Sequence, residues 1–184
     1  AARWLADAKD PAAVAALTGL LEGRSATSLK AGAGATLCRL KVQAAFDPCL
    51  DLLEKTRNSD LAAAMGELAQ ESFLGEIKAL LKDPDAPHYP ALAIAEHVHA
   101  PQLADAVEGL LDDRDSHVRI AAIKALGGLR NPKSVPVLIQ RLQAATAKPL
   151  ERFSTSAWDR QNAETCALIA ALGNLGDRSA VVGL

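Results

Sequence analysis

Apolar residues return to equivalent places in this chain about every 30 residues, and a chain patterned that way buries its units against their neighbours instead of around one central core. The clearest copy is LLDDRDSHVRIAAIKALGGLRNPKSVPVLIQRL at 110–142. Asp115 and Ser116 suit a helix start, after which Val118, Ala121, Ala122, Ala125, Leu126 and Leu129 fall at three-to-four spacing. Gly127 and Gly128 are expected to weaken continuation of that first helix. Asn131 can cap a second helix and Pro132 suits its first turn, where a missing amide donor costs nothing. Val135, Leu138, Ile139 and Leu142 then make an apolar stripe, and Pro136 falls early enough to be tolerated.

With Pro132 as anchor, the equivalent positions are Pro11, Gln43, Glu71, Pro101 and Arg178, giving intervals of 32, 28, 30, 31 and 46 residues. The counterparts of Val135 are Val14, Phe46, Leu74, Ala104 and Val181; those of Leu138 are Leu17, Cys49, Ile77, Val107 and Leu184. Every one is apolar. A leucine pair recurs at Leu20 with Leu21, Leu52 with Leu53, Leu80 with Leu81 and Leu110 with Leu111. The pattern predicts an all-α fold: an α-solenoid of about five to six antiparallel two-helix repeats over 1–184, with no β-sheet. First helices are expected at 26–40, 60–69 and 88–99.

The strings DSHVRIAAIKALGGLRNPKSVPVLIQRL and CALIAALGNLGDRSAVVGL resemble HEAT repeats of the short bacterial type, a group also known from phycobilisome lyase subunits. The family pattern of an acid followed by Val-Arg in the first helix is met by Asp113 or Asp115 with Val118 and Arg119; Gly127, Pro132 and Gly173 complete the repeat signature. The other first helices lack that pattern, so no regular Asp-to-Arg ladder is expected. The resemblance implies a solenoid whose second helices line a concave face, most often used to bind protein. The chain begins and ends within repeats, without an initiator Met, a basic leader or an apolar signal core, and is expected to be a fragment of one solenoid.

Residue chemistry points away from catalysis. Hydrophobic residues make up 49% of the chain but aromatics only 3%, so the interior must come from Ala, Leu and Val. No run of about 18 apolar residues could span a membrane. Cys38, Cys49 and Cys166 lack metal-ligand spacing and fall at apolar positions of expected helices, which reads as buried reduced thiols in a bacterial cytoplasmic protein. His97 and His99, two apart on an expected helix, would point about 200° apart and could not share an ion. HEAT-like iron enzymes that hydroxylate a modified lysine carry repeated His-Glu dipeptides, and this chain has none. His88 and His117 sit at helix starts as capping or surface residues. No serine lies in a G-x-S-x-G elbow, and the AGAG at 31–34 is a small-residue packing patch without a phosphate-loop pattern. No catalytic residue, metal site or cofactor is assigned.

A net charge of −2 argues against a general nucleic-acid groove. Charge is nevertheless uneven: Glu96, Asp105, Glu108, Asp112, Asp113 and Asp115 precede Lys124, Arg130, Lys133, Arg141, Lys148 and Arg152. On the second helices, Gln102, Asp105, Glu108, Lys133, Gln140 and Arg141 offer a mixed surface suited to a protein partner. The 46-residue interval exceeds the preceding 31 by 15, and the surplus falls at about 144–163, with Phe153 and Trp158 among only six aromatics. These two rings either cover a gap left by a longer first helix or join Arg152 and Arg160 in a partner-binding protrusion, supplemented by Lys133 and Arg141. The expectation is a non-enzymatic scaffold or adaptor of unknown oligomeric state. A bilin lyase subunit, and a regulatory segment of a larger protein, are the alternatives.

Overall fold

The computed structural model describes residues 10–147 and 155–176, the side chains of 71 and 155–161 excepted. The chain divides into two compact units, Ala1–Ile77 and Lys78–Leu184. In the first lie α1 (Pro11–Glu22), α2 (Thr27–Arg39), α3 (Phe46–Thr56) and α4 (Ser59–Ser72); α5 (Leu74–Lys82) carries the boundary. The second holds α6 (His88–Ala95), α7 (Ala104–Glu108), α8 (Ser116–Leu129), α9 (Val135–Ala147) and α10 (Thr155–Leu175). No strand occurs among the described residues. The fold class is all-α, of the α-solenoid kind built from consecutive antiparallel helix pairs.

The anchors found in the sequence are structural joints. Single turns of 3-10 helix start at Gln43, Pro101 and Pro132, and the helices that follow begin three residues on, at Phe46, Ala104 and Val135. Glu71 departs from this: α4 runs through it to Ser72, and α5 begins at Leu74 without a 3-10 turn between. Six residues after the anchors Pro11, Gln43, Glu71, Pro101 and Pro132, the residues Leu17, Cys49, Ile77, Val107 and Leu138 are all buried, while Arg178, Val181 and Leu184 lie outside the described residues. Side-chain caps start four of these segments. Asp10 accepts from the Ala12 amide at 2.9 Å, Asn58 from Leu61 at 2.9 Å, Asp115 from His117 at 2.8 Å and Asn131 from Lys133 at 3.1 Å. Each such cap contributes about 1 kcal/mol to its helix.

In the first unit α2 is the central helix, packed on α1, α3 and α4. Leu17, Leu21, Leu37, Leu53, Leu61 and Met65 fill the space between them. Phe46 and Phe73 stack with ring centroids 4.0 Å apart and planes 2° from parallel. In the second unit α8 takes the central place against α6, α7 and α10, while α9 packs on α10. From Ala121 to Leu129 only Lys124 and Gly128 escape full burial, so α8 is covered on most sides instead of presenting one stripe. Small residues let several neighbours approach it.

Several expectations are corrected. Gly127 and Gly128 do not end the first helix; α8 runs through both to Leu129, and Arg130 closes it in the left-handed region at φ 52°. The glycines supply space instead: a Cβ at Gly127 would lie 2.8 Å from the Ala171 Cα, and one at Gly128 would lie 1.9 Å from the Glu96 carbonyl oxygen. The helix beginning at His88 stops at Ala95, not His99, so His97 and His99 lie beyond it and the angular argument between them lapses. The second helix after Pro101 is only Ala104–Glu108, and Leu110 and Leu111 are buried in the turns that follow. Within the AGAG patch, Gly34 faces Cys49 and Leu61 whereas Gly32 meets nothing within 4 Å. Cys38 and Cys49 are buried as expected, but Cys166 is exposed, because α10 turns Ala167, Leu168, Ala171 and Leu172 inward.

Candidate interaction surface

The surplus after Gln143 is spent partly on helix. α9 continues to Ala147, and α10 starts at Thr155, seven residues ahead of Asn162, the counterpart of Ser116 at the 46-residue interval. About two turns of α10 therefore precede the part that matches the repeat. Trp158 and Arg160 fall on this helical extension, but their side chains lie outside the described residues. Arg152 and Phe153 lie wholly outside them.

Beside the extension, Glu164 of α10 gathers two arginines from the preceding repeat. Its Oε2 accepts from Arg119 Nε at 3.3 Å and Nη2 at 3.2 Å, and its Oε1 accepts from Arg141 Nη1 at 3.5 Å. Arg119 also donates through Nη1 to the Asp113 carbonyl at 3.0 Å, and Arg141 Nη2 donates to Asp112 Oδ1. Arg119, Arg141 and Glu164 keep only 19–25% of their side chains exposed, whereas Asp112 keeps 92%. Partial burial strengthens the pairs at the centre, and water screens the one at the rim. The Val-Arg signature thus finds its use here: Val118 is half-buried, and Arg119 ties the loop before α8 to the following first helix.

The remaining sequence candidates separate by environment. Arg141, expected to face a partner, has its guanidinium held between Glu164 and Asp112. Lys133 is exposed on the 3-10 turn, with Lys124 and Arg130 also exposed. Pro132 opens that turn and is exposed; Asp115 caps α8. Asp113 accepts from the Asp115 amide at 2.7 Å and lies 3.8 Å from His88 Nδ1, while His88 Nε2 is 2.9 Å from the Asp83 carbonyl. Gln102, Asp105 and Gln140 are exposed, but half-buried Glu108 accepts from the buried Ser134 hydroxyl at 2.6 Å. Gly173 meets nothing within 4 Å, unlike its counterpart Gly127.

Sequence reasoning missed Glu164. A signal existed, since the 46-residue offset places this acid opposite Val118, an apolar position of the repeat. Among the described residues no group of three or more His, Cys, Asp or Glu could hold a metal ion, and no helix is long and apolar enough to cross a membrane. Residues 76–156 match the family model of HEAT repeats, a stretch that runs from α5 into the first turn of α10 and includes Arg119 and Arg141. No curated protein matches the chain.

Proposed function

We propose that this chain is a non-enzymatic scaffold or adaptor that binds another protein through its repeat surface and the 144–163 insertion. HEAT repeats are generally protein-interaction scaffolds, and the match over residues 76–156 supports the general reading. The observation that carries the finer one is the start of α10 about two turns ahead of the repeat it belongs to. A helical extension of this kind offers a rigid platform, and Phe153 and Trp158, flanked by Arg152 and Arg160, supply the residue types that dominate binding energy at protein interfaces. Lys133 adds an exposed cation on the same repeat. Arg141 serves by holding α9 to α10 through Glu164 instead of meeting the partner.

Affinity capture with the parent chain and with a Phe153→Ala, Trp158→Ala double variant tests the proposal. Loss of the captured partner is expected at unchanged helicity and melting temperature. A partner retained by the double variant overturns the role of the insertion.

A further inference from the structure

Two of the three cysteines are brought together by the fold. Cys38 on α2 and Cys49 on α3 lie in the same unit, on helices packed against each other, and both side chains are fully buried. Gly34 makes the room: with no side chain of its own it lets Cys49 Sγ lie where a Cβ would come within 2.5 Å. Cys38 follows Gly34 by one helical turn on the same face, which sets it beside Cys49. The neighbouring Cys49 thiol and burial push the Cys38 thiol up, while the neighbouring Cys38 thiol draws Cys49 down.

We propose that Cys38 and Cys49 are a redox-modified pair that forms an intramolecular disulfide with a peroxide as oxidant. The Cys49 thiolate attacks one peroxide oxygen, so that an S–O bond forms, the O–O bond breaks and the departing hydroxide takes up a proton as water. Cys38 then attacks the Cys49 sulfur; the S–S bond forms, the S–O bond breaks, and the released hydroxide leaves as water with the Cys38 proton. Two thiols lose two electrons in total and the peroxide gains them. Full burial shuts out bulky disulfides from the closed state, so a small peroxide reaching the pair through local opening suits the site. The bond would pin the end of α2 to the start of α3 across the turn containing Lys41, whose φ is 60°.

The test uses the full chain carrying Cys166→Ser, which removes the exposed thiol. Treatment with hydrogen peroxide, followed by alkylation, digestion and mass spectrometry, is expected to give a Cys38–Cys49 cross-linked peptide 2 Da lighter than the two reduced peptides together. The melting temperature is expected to rise and to return on addition of dithiothreitol. With Cys38→Ser added, a dimedone adduct should accumulate on Cys49. Oxidation that stops at sulfinic acid, or thiols that stay unmodified while a cysteine peptide added to the same sample is oxidised, overturns the proposal, and both readouts come from protein that retains Cys38 and Cys49.

Discussion

Gly127 on α8 and Ala171 on α10 meet almost backbone to backbone: a Cβ at position 127 would stand 2.8 Å from the Ala171 Cα and 3.0 Å from its Cβ. Both residues are themselves buried, so neither can retreat without moving its helix. Gly127→Val is expected to destabilise by about 1–3 kcal/mol through overpacking. Gly173→Val, at the counterpart with open space around it, should change stability by no more than about 0.5 kcal/mol. Thermal melts of the two variants followed by circular dichroism check this; equal losses would mean that the close approach to Ala171 does not govern the effect at Gly127.

A second contact couples Gly34 to Cys49, where an added Cβ would fall 2.5 Å from the sulfur. Gly34→Ala alone is expected to cost about 1–3 kcal/mol, because Cys49 is fully buried and has little room to move. Adding Cys49→Ala removes the obstructing sulfur and should recover at least part of that loss. The double-mutant cycle measures the recovery, and strict additivity of the two changes would show that the residues do not interfere.

The repeat period was legible because it rests on local patterning: the anchors Gln43, Pro101 and Pro132 open 3-10 turns, and the residues six places later are buried. The glycines were misjudged for a physical reason. Gly127 and Gly128 look like helix breakers within their own segment, whereas their use is set by Ala171 and Glu96, distant in sequence. The same holds at the candidate surface. The aromatic surplus stood out by arithmetic on the period, but the engagement of Arg141 by Glu164 and Asp112 depends on three segments meeting.

Glu164 accepts from two arginines, so its loss leaves two partly buried cations short of a partner. Glu164→Ala is expected to lower stability by about 1–3 kcal/mol, while Asp112→Ala, at the exposed rim, should cost less than about 1 kcal/mol. Raising the salt concentration to about 1 M should reduce the Asp112 effect more than the Glu164 effect, since burial limits screening. Urea titrations at low and high salt check the ranking.

Arg130 closes α8 at φ 52°, a left-handed position that a side chain adopts at a cost and glycine does not. Arg130 is exposed, so little packing is lost on replacing it. Arg130→Gly is expected to stabilise by about 0.5 kcal/mol, the gain at the cap exceeding the added freedom of the unfolded chain. A midpoint of urea unfolding that falls would contradict this.

No residue is common to all three 3-10 turns, Gln-Ala-Ala, Pro-Gln-Leu and Pro-Lys-Ser, yet each is three residues long. Their length therefore acts as a rotational setting. Removing one residue from Pro132–Ser134 would turn α9 by about 100° about its axis, carrying Leu138 and Leu142 away from the interior and putting Ile139 and Gln143 in their places. Such a joint tolerates substitution at its two exposed leading residues and deletion hardly at all, so variants of this chain should exchange residues there far more readily than they lose them.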